Sequence, residues 1–285
     1  MRALTLLLSL LAIILCSFSP GGEGYGAMNA TSVMSYNIHI EDCGHLHPSW
    51  MERRSMVAQV IRLKSPEVLG LQGTSLSQLT FLHDNLKFYE FYYSKAINQT
   101  GLDLCPIMHD RRVYTSLEQG TYTLHNALSD EALSMDSHAG APFLNWVKLE
   151  HIPSKRILYA INTSLGTVSH IDSKKDVTAD LRNFIDDLVK GSTFVLMGDM
   201  ATEPEEPSMV AMSSWAKDSH GSSLISISEI DDTFLGWEKC QSGKRLDYVF
   251  LSKDIPANSH EVVDIAFQNK FPSDHLPVFC RLRLN

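Results

Sequence analysis

The chain is expected to fold as an α/β domain of four layers, two mixed β-sheets packed face to face with helices on the outside. Three observations predict this. From Thr31 onward, β-branched and apolar runs alternate with segments of helical spacing. Between Cys105 and Leu149 the runs follow one another as antiparallel strands do, which argues against a single doubly wound parallel sheet. Residues 193–197 form a short apolar run, the kind buried on both faces.

Taken in order, 33–37 reads as a strand followed by a polar loop from Glu41 to Pro48. Trp50, Val57, Val60 and Ile61 recur at helical spacing, giving a helix over 50–64 that Pro66 ends. A strand at 67–71 follows, then a helix marked by Leu76, Leu79, Leu82 and Leu86, with Thr74 or Ser75 as its N-cap. Aromatic-rich 89–95 is a strand. In the middle, turns are expected at Gln119-Gly120 and at Gly140-Ala141-Pro142. Residues 156–163 form a strand, and Val177, Leu181, Ile185 and Leu188 mark a helix stopped by Gly191. Strands at 245–251, 262–267 and 277–284 close the set; without a repeat or linker, 28–285 is read as one domain.

The first residues differ in kind. Met1-Arg2 precedes an apolar stretch from Ala3 to Cys16, and Ser19-Pro20-Gly21-Gly22 ends it, the layout of a secretory signal peptide over about 1–22 with cleavage placed between 19 and 27. The run falls short of the ~20 apolar residues a membrane span needs. No other stretch is apolar enough, so no membrane span is expected once the signal is removed. Secretion leaves four cysteines, Cys43, Cys105, Cys240 and Cys280. A Cys43–Cys105 disulfide is favoured because both lie in loops, with Cys280 read as core. Three sequons begin at Asn29, Asn98 and Asn162; the first two are expected to carry glycans and the third to stay packed in a strand.

The formal charge of −9, which becomes −10 when the one positive charge of Arg2 is lost, carries no strong nucleic-acid signature. Arg53-Arg54 reads as a solvated helix face, whereas Lys244-Arg245 precedes Asp247 and is placed to meet an anion. His39, Cys43, His45 and His47 fit no standard zinc spacing and read as a polar loop with incidental histidines, though a transition metal would be sought there first.

Six short motifs carry the chemistry: Tyr36-Asn37-Ile38-His39, Leu71-Gln72-Gly73, Asn162-Thr163-Ser164-Leu165, Gly198-Asp199-Met200-Ala201, Arg245-Leu246-Asp247-Tyr248 and Ser273-Asp274-His275. In that order they resemble the endonuclease/exonuclease/phosphatase superfamily of metal-dependent phosphoester hydrolases, over nearly the whole mature chain. Trp50 and Arg54, Asp232-Thr233-Phe234 and Leu276-Pro277-Val278 fit as flanking residues. The resemblance implies the same four-layer sandwich. It implies Asn37 and Asp274 at the metal, and Asp199, Asp247 and His275 in catalysis.

Three positions depart from the pattern. The family glutamate is Gly73, its histidine is Ser164 and its second asparagine is Ala201. Gln72 cannot stand in, since adjacent strand residues face opposite ways. Loop carboxylates at Glu41, Asp42 or Glu203 are candidates for a substitute ligand. Mg²⁺ is therefore expected to be weakly held, with Mn²⁺ as the alternative; the partner is left open by the sequence, a phosphate-containing ligand being one candidate. Losing one positioned acid, base or charge stabiliser typically slows a reaction 10²–10⁴-fold, and such losses do not simply multiply. The expectation is a secreted, catalytically impaired protein acting by binding; the alternative is an active phosphodiesterase or nuclease with a rearranged metal site. Singly, Asp247, Asp274, His275 and Asn37 each have an ordinary structural explanation; as a set at strand ends they point to a cleft.

Overall fold

A computed structural model describes residues 29–41, 47–95, 103–124, 142–166, 171–237 and 243–284. One sheet has seven strands: β1 (Ala30–Asn37), β2 (Val68–Gln72), β3 (Tyr89–Tyr92), β4 (Ile107–Asp110), β10 (Ile225–Ser226), β12 (Ala257–Val262) and β13 (Val278–Arg283). Their order is β10-β12-β13-β1-β2-β4-β3. The other has six: β5 (Tyr114–Thr123), β6 (Phe143–His151), β7 (Ile157–Ser164), β8 (Phe194–Asp199), β9 (Lys217–Asp218) and β11 (Asp247–Leu251), ordered β5-β6-β7-β8-β11-β9. Parallel pairs (β1 with β2, β7 with β8) sit inside antiparallel surroundings, so both sheets are mixed.

Alternation along the strands builds the layers. In β1, Val33 turns into the core between the sheets, while Met34 and Tyr36 turn out against α1 (Trp50–Lys64) and α2 (Leu76–Asn85). In β8, Val195 and Met197 point to the opposite sheet, and Phe194 and Leu196 to α3 (Ile171–Val189) and α4 (Pro207–Trp215). A short helix α5 (Ser219–Ser222) follows β9. The expected four-layer sandwich is thus the fold observed. Fully burying a Val, Leu or Ile is worth roughly 1.5–3 kcal/mol, and three such clusters make the strand ends a firm platform.

Caps fix where the helices begin. Glu52 Oε2 accepts the Ser49 N–H at 2.8 Å, and Gln78 Oε1 accepts that of Ser75 at 2.8 Å, one arm of the capping box of α1 and of α2. Between the sheets a polar bridge is completely buried. Gln72 Nε2 donates to Asn162 Oδ1 at 2.6 Å, and Asn162 Nδ2 donates to Leu71 O at 2.7 Å and Pro106 O at 3.0 Å. Gln72 therefore faces away from the cleft, as alternation requires, and Asn162 is packed; Asn29 is partly exposed and Asn98 lies outside the described residues.

Several expectations need correction. Gln119-Gly120 is no turn: β5 runs through it, because Gly120 makes room for the Trp146 ring, which would lie 2.8 Å from a Cβ there. The strand expected at 262–267 is β12, which ends at Val262, and α4 was not anticipated. Cys105 is a free, buried thiol whose Sγ donates to Asp103 Oδ2 at 3.3 Å, so it forms no disulfide with Cys43. Cys280 is free and buried in β13, as expected of a core cysteine. The signal segment, Cys43, Asp42, His45, Cys240 and the 140–142 turn wholly or partly lie outside the described residues. Among the described residues no helix is long and apolar enough to cross a membrane.

Candidate active site

β1 ends at Asn37, β2 at Gln72, β7 at Ser164 and β8 at Asp199, while β11 begins at Asp247 and 273–275 leads into β13. Since the two sheets face each other, these ends meet along one edge of the sandwich. Asn37 Nδ2 donates to Asp199 Oδ2 at 2.9 Å and lies 3.5 Å from His275 Nε2. His275 Nδ1 is 2.8 Å from Asp247 Oδ2, and its Nε2 is 4.0 Å from Asp199 Oδ2. Thr233 Oγ1 accepts the N–H groups of Leu246 and Asp247, both at 2.9 Å, which fixes the start of β11. Ser273 Oγ donates to Asn37 O at 2.8 Å, tying the 273–275 turn to β1. Asn37, Asp199, Asp247 and His275 are therefore brought together, while the carboxylate of Asp274, next to His275 in the chain, faces His39.

The electrostatics follow from burial. Asp199 is pushed up to about 6, first by burial and then by Asp247 beside it, against the pull of His275. Burial alone would depress His275, but Asp247, with Asp199 and Asp274 behind it, holds it at about 9, so the ring is an imidazolium at neutral pH. Burial acts to raise Asp274, but its contact with His39 and the charge of His275 outweigh that and hold it below the usual carboxylate range. Asp247 Oδ1 is buried with no hydrogen-bond partner among the described residues. An acceptor-rich pocket around one imidazolium is suited to orienting a water, or to meeting a phosphate through the ring.

The three departures have structural consequences. Gly73 is left-handed, with φ +58°, and a Cβ built there would lie 2.5 Å from Asn37 Oδ1 and 3.0 Å from both Cα and N of His39. Ser164 pairs with Asp199 across β7 and β8. Ala201 is left-handed at φ 47°, a conformation asparagine tolerates far better than alanine, and its N–H donates to Asp199 Oδ1 at 2.8 Å. The substitute carboxylates are engaged elsewhere: Glu203 pairs with Lys244 at 3.0 Å, and Glu41 accepts from the hydroxyls of Ser75 and Ser77.

Two residues that the sequence presents as a solvated arginine and an incidental loop histidine shape the cleft. Arg53, not Arg54, is the buried one; its guanidinium donates to the carbonyls of Ile38, His39, Pro48 and Pro272, pinning both loops that carry site residues. Its three-residue spacing from Trp50, whose ring it faces at 5.3 Å, was the available signal. His39 Nδ1 is 3.1 Å from both oxygens of Asp274. Lys244-Arg245 proves not to be a free anion contact, because Arg245 Nη2 lies 2.6 Å from both oxygens of Asp218.

The superfamily that the motifs resemble is typically dependent on a divalent metal. Mg²⁺ takes a near-octahedral set of oxygens that includes one or two carboxylates. Here position 73 supplies no atom, Asn37 Oδ1 accepts the His39 N–H at 3.0 Å, and Asp274 faces the His39 ring. Those residues do not fit that ion. Asp199, Asp247 and His275 are a second group that could hold a metal, with ligand atoms within 4.8 Å of one another. It can do so only once His275 gives up its proton.

Against known proteins, residues 34–275 match the endonuclease/exonuclease/phosphatase family model. No curated protein matches the chain in sequence. Among solved structures it is similar to an endonuclease/exonuclease/phosphatase from Bacteroides vulgatus, with TM-score 0.80 and 19% identity over 90% of this chain and 99% of that one. It is similar to a Bacteroides thetaiotaomicron mannosyl-6-phosphatase at TM-score 0.76 and 17% identity, covering 88% and 99% of the two chains. The human Nocturnin catalytic domain with bound sulfate gives TM-score 0.70 and 20% identity over 90% and 95%. With the match spanning every strand end that builds the cleft, the chain belongs to the endonuclease/exonuclease/phosphatase family.

Proposed function

We propose that this is a secreted member of the family whose cleft binds a phosphate-bearing ligand and is catalytically impaired. The observation that supports it is Gly73: the position that should supply the metal carboxylate has no side chain and no space for one, while Asn37, Asp199, Asp247 and His275 keep a bonded constellation beside it. Such a half-site retains an imidazolium to meet phosphate oxygens without the charge neutralisation that drives phosphoester cleavage. The acidic chain disfavours a sequence-independent nucleic-acid grip, so a small phosphate ester is the favoured ligand. Secretion rests on the Met1–Cys16 pattern and the sequons at Asn29 and Asn98.

The test is a thermal-shift and calorimetric titration of the mature protein with inorganic phosphate, a sugar phosphate, a short single-stranded DNA and a phospholipid headgroup. Binding of at least one that His275→Gln abolishes is expected; no binding by any of them refutes the reading. An active phosphodiesterase is the second reading, favoured by one observation: Asp199, pushed up to about 6, is poised as a general base near neutral pH. It predicts turnover that Asp199→Asn removes.

A further inference from the structure

We infer that His39 closes the cation seat of the cleft, so that the ligand is taken up without a divalent ion. Both side chains that should converge on a metal, Asn37 and Asp274, are turned onto this one residue. Asn37 Oδ1 accepts its backbone N–H at 3.0 Å. Both oxygens of Asp274 face its Nδ1 at 3.1 Å. The space a side chain at 73 would need is taken first by Asn37 Oδ1, 2.5 Å from the built Cβ, and then by the Cα and N of His39, each at 3.0 Å.

The arrangement is held from behind. His39 is itself left-handed at φ 58°, and its carbonyl accepts from Gln78 Nε2 at 2.9 Å and from the guanidinium of buried Arg53. Trp237 packs edge-on against the His39 ring at 5.1 Å, and the same Arg53 lies 5.3 Å from the Trp237 ring. Gly73 and His39 are therefore two halves of one rearrangement: a glycine at 73 is what lets the 37–39 turn fold inward, and the inward turn bars any side chain at 73. Restoring the glutamate alone cannot rebuild the seat. His39 Nε2 is buried and has no hydrogen-bond partner among the described residues. For its ligand this inference rests on the phosphate-binding reading; for the metal it stands alone.

The experiment is a Mn²⁺ titration followed by electron paramagnetic resonance on the mature wild type, Asp274→Asn, Gly73→Glu, and the pair His39→Gly with Gly73→Glu. Wild-type uptake should be nil or indifferent to Asp274→Asn, and Gly73→Glu should gain none. The pair should gain a Mn²⁺ that adding Asp274→Asn removes. Wild-type uptake abolished by Asp274→Asn overturns the inference, as does a correctly folded pair that gains nothing; should the pair not fold, the wild-type comparison decides. In parallel, inorganic phosphate should shift Tm equally in EDTA and in Mn²⁺. A shift that needs Mn²⁺ contradicts His39 as the closure. No shift in either contradicts the phosphate reading and leaves the Mn²⁺ result to judge His39.

Discussion

Asp247→Asn isolates the interaction on which the electrostatics of the cleft depend. The substitution keeps the size of the side chain and removes a charge 2.8 Å from His275 Nδ1, at a residue with no solvent exposure. Carrying a histidine from its ordinary 6.5 to about 9 corresponds to about 3 kcal/mol of preference for the imidazolium. Burial opposes that preference and Asp247 is the foremost group sustaining it, so the variant should bring His275 well down from about 9. The sign for stability follows from linkage. A histidine raised in the folded state contributes stability that is fully present below pH 6.5 and is lost as pH climbs through about 9. Through His275 alone, wild type should gain up to about 3 kcal/mol on Asp247→Asn near pH 6, a gain that closes above pH 9 and that the relief of Asp199 in the variant offsets in part. Asp199 works in the opposite sense: raised to about 6 by burial and by Asp247, it weakens the fold as pH rises from 3.8 through 6. Histidine-selective NMR across pH 5–10, beside urea unfolding at pH 6 and 9.5, reads both. A wild-type His275 titrating near 6.5, or one that Asp247→Asn leaves unmoved, refutes the reasoning.

Other outcomes follow from the same geometry. Gly73→Ala should destabilise by about 1–3 kcal/mol, from the left-handed backbone and the crowded Asn37 amide, read by urea unfolding. Ala201→Asn should be neutral or stabilise by about 1 kcal/mol, because the left-handed position suits asparagine; a loss above that contradicts the account. Arg53→Met should cost about 3–5 kcal/mol, since it strands buried carbonyls of both cleft loops, whereas Arg54→Met should cost under about 1 kcal/mol. Mass spectrometry of the protein from a secretory host should find the amino terminus between 19 and 27 and glycans at Asn29 and Asn98, with none at buried Asn162.

Much of this was legible in the sequence where local pattern and tertiary demand agree. The apolar run at 193–197 is β8, the helical spacing of Val57, Val60 and Ile61 is the buried face of α1, and Ser75 caps α2. The site residues were readable because six short motifs, each at a strand end, resemble in order those of the endonuclease/exonuclease/phosphatase superfamily. Where a residue's meaning lay in a distant partner, pattern failed. His39 looked like one polar-loop histidine among several, because its partner Asp274 is 235 positions away. Arg53 looked solvated because a cation normally is, and only the folded loops reveal the carbonyls that surround it. Gly120 read as a turn because nothing local announces the Trp146 ring that needs the space. Cys105 was paired on loop chemistry, but Asp103, which takes its thiol, also accepts the N–H groups of Gly73 and Thr74 and so belongs to the cleft wall.

The most direct test of the central claim is the hydrolysis rate of a small phosphoester panel by the mature protein, in EDTA, Mg²⁺ and Mn²⁺, beside Asp199→Ala and Asp274→Ala. A cleft that binds phosphate but has no metal carboxylate at Gly73 predicts rates indistinguishable from the two variants under every condition. Metal-dependent turnover that both variants abolish would contradict it.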